Sequence, residues 1–176
     1  MKVFGFAGWS GSGKTTLIEQ LVPLLARDGR RVSLIKHAHH DFDVDQPGKD
    51  SWRHRKAGCS EVLVTSSRRW ALMHELGDEV EMTLVASLAR LSPCDLVLVE
   101  GFKRASIPKL EIHRVCVGKP SLFPADSNIV GLATDAPERF AETDLPVLDL
   151  SNVPGICAFV LTHCTLLEID KTAHTL

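Results

Sequence analysis

Apolar positions in this chain come either as short unbroken runs or as stripes at helical spacing. Val3 to Ala7 is the first run and predicts a strand. Leu17, Ile18, Leu21, Leu24 and Leu25 then recur at helical spacing, with Gly29 as a C-terminal stop. Pro23 falls inside that stripe. A mid-helix proline costs about 3 kcal/mol relative to alanine, so a kink or local break is expected there. Arg31 to Lys36 reads as a second strand, apolar at Val32, Leu34 and Ile35. His37 to Gly48 is polar and aperiodic, hence a loop, and Lys49 to Ala57 is a short helix closed by Gly58. Glu61 to Thr65 and Trp70 to Leu76 flank Ser66, Ser67, Arg68 and Arg69, which predicts an antiparallel hairpin. Asp78 with Glu81 resembles a capping box opening a helix that carries Val80, Leu84, Leu88 and Leu91.

The segment Asp95-Leu96-Val97-Leu98-Val99-Glu100-Gly101 holds an uninterrupted apolar stretch, the mark of a strand covered on both faces as in parallel sheets. Lys109 to Val117, Asn128 to Thr134 and Val147 to Leu150 are further strands. Ser151 or Asn152 caps a last helix bearing Ile156, Phe159, Val160 and Cys164. The alternation predicts an α/β fold: a doubly wound, mostly parallel sheet with helices on both faces, plus the hairpin at 61–76. All 176 residues are expected to form one domain, with no internal repeat or linker.

Composition narrows the class. A hydrophobic content of 44% and a charged content of 24% belong to a soluble globular protein. The net charge of -2 supplies no global field for nucleic acid. No apolar run reaches membrane-spanning length, and Met1 to Phe6 lead straight into a strand with no basic leader or signal-peptide pattern. Five widely spread cysteines without a CxxC pair read as thiols in a reducing cytoplasm.

Chemistry concentrates behind the first strand. Gly8-Trp9-Ser10-Gly11-Ser12-Gly13-Lys14-Thr15 is a complete GxxxxGK[ST] phosphate loop between a strand and a helix. Its glycines let several N–H groups converge on one anion at the partly positive helix N-terminus. Lys14 then reaches the β- and γ-phosphates, and the Thr15 hydroxyl reaches Mg²⁺. A second acid is needed at the carboxyl end of a neighbouring strand; Glu100 stands there, whereas Asp95 begins that strand at the opposite edge. Asp41, Asp43 and Asp45 follow the second strand, either as hydrated loop carboxylates or, Asp43 first, as a switch-loop approach to the same metal. His37, His39, His40 and the aspartates beside them are potential transition-metal ligands, at a spacing that matches no closed tetrahedral site. Lys49, Arg53, Arg55 and Lys56, interleaved with Trp52 and His54, form a basic cluster, read as a solvated face or as a platform for a phosphorylated molecule or acidic partner. Lys103 and Arg104 add positive charge past Glu100. Asp135 is placed to accept the N1–H and N2 amine of guanine, but the Asn-Lys-x-Asp pattern is incomplete and a cap ahead of Pro137 competes.

Several segments together resemble the MobB family, the molybdopterin-guanine dinucleotide biosynthesis adapter proteins. They are Phe6 to Leu17, Ile35-Lys36-His37 through Gly48-Lys49-Asp50-Ser51, the Ala57-Gly58 turn, and Val97-Leu98-Val99-Glu100-Gly101-Phe102-Lys103. They span the first two thirds of the chain; the last third is less distinctive, and Asp135 is not carried over. The resemblance implies a dimeric P-loop protein that binds GTP with Mg²⁺ and hydrolyses it weakly. It implies assistance to the nucleotidyltransferase that joins GMP to molybdopterin, contact with other molybdenum cofactor proteins, and molybdopterin as a candidate ligand. On that analogy Gly8, Trp9, Ser10, Gly11, Ser12, Gly13, Lys14, Thr15 and Thr16 cradle the phosphates, while Thr15 and Glu100 belong to the metal and water shell. No arginine finger is legible, which accords with slow hydrolysis. The hairpin at 61–76 is the element expected to supply strands to a homodimer. The rivals are a small-molecule kinase, a GTP-dependent metallochaperone using the His-rich loop, and a scaffold whose nucleotide only fixes its conformation.

Overall fold

The computed structural model describes residues 1–38 and 42–168. They form two compact units, one of residues 1–37 with the chain from 84 onward, the other of residues 38–83.

The first unit is built on β1 (Lys2–Ala7), β2 (Val32–Lys36), β5 (Leu96–Glu100), β6 (Lys109–His113), β7 (Ile129–Thr134) and β8 (Val147–Asp149), in spatial order β2-β5-β1-β6-β7-β8. All of these pairings are parallel. The short β9 (Thr165–Leu166) runs antiparallel to the start of β1. Side chains of a strand alternate between faces, and the apolar runs follow that rule with both faces covered. Phe4, Phe6, Leu96, Leu98, Leu110 and Ile112 join Leu17, Ile18, Leu21 and Leu25 of α1 (Lys14–Arg27) and Ile156, Phe159 and Val160 of α4 (Val153–His163). Val3, Val97 and Val99 face the other way, onto Leu84 and Leu88 of α3 (Leu84–Ala89). Each such burial contributes about 1.5–3 kcal/mol, which explains why β5 carries no polar residue before Glu100.

Three expectations are corrected. Helix α1 runs unbroken through Pro23. Pro23 and Glu19, whose carbonyl the proline leaves without an intrahelical donor, both lie on the exposed side of the helix, where burial adds no desolvation cost. The Asp78–Glu81 segment opens no helix; α3 begins only at Leu84. Glu79 instead closes a turn through its N–H to the Leu76 carbonyl, its carboxylate is taken by His74, and Val80 is exposed. The strand expected over Lys109–Val117 leaves the sheet at His113 and winds into a 3-10 turn at Val115–Val117.

The second unit contains α2 (Asp50–Lys56) and the antiparallel pair β3 (Glu61–Thr65) and β4 (Trp70–His74). At its centre Arg55 donates to Asp43 (2.6 Å), Asp45 (3.2 Å) and Glu75. These hydrogen bonds, Asp43 first, hold the guanidinium pKa above its ordinary value and keep the Asp43 carboxyl below its own. Of the expected basic cluster, Arg55 is thus turned onto carboxylates, and Lys56 lies 5.9 Å from the Trp52 ring.

Candidate functional site

Parallel strands end at one edge of the sheet, and in open α/β sheets that edge is where ligands bind. Here β1 ends in the phosphate loop, β5 in Glu100, β6 in His113 followed by Arg114, and β7 in Thr134 followed by Asp135. Lys36 closes β2 and is opposite Glu100 in register.

The loop is shaped for an anion. Gly8 has φ +142, and a Cβ there would lie 2.5 Å from the Ile112 carbonyl oxygen and 2.7 Å from Ser12 Oγ, so only glycine lets the loop fold this tightly. Ser12 is 2% exposed, and its hydroxyl has no hydrogen-bond partner among the described residues. An orphaned buried hydroxyl is costly unless a ligand completes it, and a phosphate oxygen fits that need. Lys14 Nζ donates to the carbonyls of Gly8 and Trp9, each at 2.9 Å, which holds the ammonium over the loop. Burial lowers the Lys14 pKa; Glu100 opposes that shift, and Lys103 and Lys36 add to it.

Glu100, itself buried, accepts the Thr15 hydroxyl at 3.2 and 3.4 Å and lies 3.7 Å from Lys36 Nζ. Thr15 and Glu100 are hard oxygen donors of the kind Mg²⁺ prefers. The turn after Glu100 packs tightly: the His37 N–H donates to the Glu100 carbonyl at 2.8 Å, and Phe102, a non-glycine residue at φ +46, lies against His37 with ring centroids 4.7 Å apart and planes tilted by 44°. Trp9, beside the loop, donates to the Pro120 carbonyl and has Lys103 and Lys119 at 5.7 and 6.0 Å from its ring.

The structure thus brings together Gly8 to Thr16 and Glu100. Asp135 accepts the Val115 N–H at 3.1 Å and lies 3.7 Å from an Arg114 nitrogen. Asp43 belongs to the 38–83 unit, bonded to Arg55. His39, His40 and Asp41 lie outside the described residues. Sequence reasoning missed two basic groups. Lys36 was legible as the last residue of a strand, at the same sheet edge as Glu100. Arg114 was hidden because its strand was expected to continue to Val117. Among the described residues no helix is long and apolar enough to cross a membrane.

A parallel sheet whose central strand runs into a phosphate loop and helix, beside a strand ending in an acid bonded to the loop threonine, defines the P-loop NTPase fold. Comparison with known proteins gives the family. Residues 3–135 match the family model described as "Molybdopterin guanine dinucleotide synthesis protein B", and the chain belongs to that family. It is 45% identical over 162 residues to the molybdopterin-guanine dinucleotide biosynthesis adapter protein of Escherichia coli (strain K12), covering 90% of this chain and 91% of that one. The protein of the same name in Haemophilus influenzae is 44% identical over 90% of this chain and 86% of its own length. A crystal structure of molybdopterin-guanine biosynthesis protein B superposes with a TM-score of 0.70 at 26% identity, over 91% of this chain and 98% of that one.

Proposed function

We propose that this chain is a GTP-binding adapter with weak GTPase activity that assists the attachment of GMP to molybdopterin in molybdopterin-guanine dinucleotide biosynthesis. The observation that carries the nucleotide part is the phosphate loop with its orphaned Ser12 hydroxyl beside the Thr15–Glu100 pair. Family membership supports the pathway. In this reading the loop amides and Lys14 bind the triphosphate. Thr15 and Glu100 are the residues that would hold Mg²⁺, which would supply charge neutralisation to the phosphates. Glu100, fixed by Thr15 and Lys36, orders water at the γ-phosphate. Slow hydrolysis accords with the lack of a recognisable arginine finger in the sequence. The partners are the nucleotidyltransferase and other molybdenum cofactor proteins, in the cytoplasm, and the adapter acts as a homodimer joined through β3 and β4.

Calorimetry on folded protein with GTP or ATP, with and without Mg²⁺, tests the ligand. A reconstituted transfer of GMP to molybdopterin, with and without this chain, tests the role. Absence of heat with any purine triphosphate overturns the nucleotide reading; transfer at the same rate without the chain overturns the adapter reading.

A further inference from the structure

Arg114 is the first residue past β6, which pairs with the strand that carries the phosphate loop. Its Nε donates to the Ser12 carbonyl at 3.2 Å. Its Nη1 lies 3.7 Å from Asp135 Oδ2, while Asp135 Oδ1 accepts the Val115 N–H at 3.1 Å. Asp135 is therefore fastened to the backbone beside Arg114 and pairs with Nη1 of the guanidinium, a different nitrogen from the one that meets the loop. Across a planar trans peptide the C=O and N–H point in opposite directions. Drawing the Ser12 carbonyl toward Arg114 turns the Gly13 N–H to the other side of the loop. Gly13 has φ +92, and a Cβ there would come within 3.1 Å of Arg114 Nε, so the absent side chain lets the guanidinium close on this peptide.

We propose that Arg114, held by Asp135, is a positioning residue that sets the Ser12–Gly13 peptide so that its N–H faces the bound phosphate, and that Asp135 acts on nucleotide affinity through Arg114 rather than by reading the base. The inference rests on the triphosphate reading above and adds to it a tether running from β7 to the phosphate loop. Its chemical signature is indifference to the base. Inorganic tripolyphosphate, which has no base, must feel the loss of Arg114 or of Asp135 as strongly as GTP does. A base-reading aspartate behaves otherwise: its loss leaves tripolyphosphate binding alone. Its replacement by asparagine, which offers a donor in place of an acceptor, favours xanthine with its C2 oxygen over guanine with its C2 amine.

The test is competition of GTP, XTP and inorganic tripolyphosphate against a labelled GTP analogue with Mg²⁺. The proteins are the full chain and its Arg114→Ala, Arg114→Lys, Asp135→Asn, Arg114→Ala/Asp135→Asn and Lys14→Ala variants, each checked by thermal unfolding. Arg114→Ala is expected to weaken GTP and tripolyphosphate by one common factor, about tenfold for loss of the guanidinium's hydrogen bond to the loop; Asp135→Asn, which breaks a partly exposed 3.7 Å ion pair, is expected to weaken both by a smaller common factor, about two- to fivefold. The double variant is expected to lose no more than Arg114→Ala alone, because both substitutions break one connection. Arg114→Lys, which keeps the charge without the planar fork, is expected to recover only part; it carries the test if the alanine variant does not fold. Unchanged tripolyphosphate affinity in the Arg114 variants, additive losses in the double variant, or a switch of Asp135→Asn toward XTP with tripolyphosphate spared overturns the proposal. Undiminished affinity in Lys14→Ala instead overturns the phosphate-loop reading itself, so the two failures are distinguishable.

Discussion

The Thr15 hydroxyl lies 3.2 Å from one Glu100 carboxylate oxygen and 3.4 Å from the other, joining the first turn of α1 to the carboxyl end of β5. Glu100→Gln keeps an acceptor for Thr15 and removes the negative charge. Triphosphate affinity without metal is therefore expected to hold or rise, because an anion near the phosphates is gone. The gain in affinity on adding Mg²⁺ is expected to shrink about tenfold, the scale of one charged contact. A Mg²⁺ titration of nucleotide binding reads both, and a wild-type response in the variant removes Glu100 from the metal's surroundings.

Lys14 supplies the ammonium over the loop, and burial holds its pKa below the ordinary lysine value of 10.5. Lys14→Ala is expected to abolish triphosphate binding in a protein that still unfolds cooperatively. In the wild type, affinity is expected to fall as pH rises, with the decline setting in before 10.5, because the charged form is lost earlier than in a free lysine. Lys14→Arg retains its charge throughout and is expected to lack that decline. A Lys14→Arg profile that superposes on wild type assigns the titration to another group.

How far the sequence carried this reading varies with the physics of each element. The apolar run Leu96 to Val99 could only be a strand covered on both faces, so β5 and the placement of Glu100 at its end were legible directly. The phosphate loop was legible because backbone geometry dictates its glycines. The end-of-strand position of Lys36 was legible, but its pairing with Glu100 and the contact of Arg114 with the loop were not, since both arise between strands distant in sequence. The Asp78–Glu81 capping box misled because its local pattern competes with a hydrogen bond from His74, five residues before Glu79, that no short window weighs. Pro23 misled in the opposite sense. The propensity cost is real, but it falls on the exposed side of a helix whose buried side carries Leu17, Ile18, Leu21 and Leu25. Replacing Leu21, fully buried between α1 and the sheet, with alanine is expected to cost about 2–5 kcal/mol in denaturant unfolding.

His74 closes the open end of the hairpin, 2.7 Å from Glu61 and 3.2 Å from Glu79. Hydrogen bonds to Glu61 first and Glu79 second raise its pKa above the ordinary 6.5. The sign follows from linkage. The contribution of His74 to hairpin stability is fully present below pH 6.5 and is lost as pH rises through the raised folded value. Protection factors of the β3 and β4 amides, which correct for the base-catalysed intrinsic rate, are expected to fall over that window in the wild type and to show no such step in His74→Gln. An NMR titration of the ring that midpoints below 6.5 contradicts the assignment.

One face of the same hairpin carries Leu63 opposite Leu72 and Thr65 opposite Trp70. Leu63, Leu72 and Trp70 are 60%, 43% and 68% exposed, an apolar strip on a sheet of only two strands. Two-stranded sheets are marginal in water, and covering this strip with its counterpart on a second copy buries apolar area from both. The chain is therefore expected to run in light scattering at twice its 19.3 kDa mass. Leu63→Lys with Leu72→Glu places charges on the strip while preserving a cross-strand pair, so the hairpin is retained as the interface is lost. That variant is expected to be monomeric and to bind GTP with wild-type affinity, because the phosphate loop and Glu100 belong to the other unit. A monomeric wild type, or a variant that stays dimeric, places the subunit contact elsewhere.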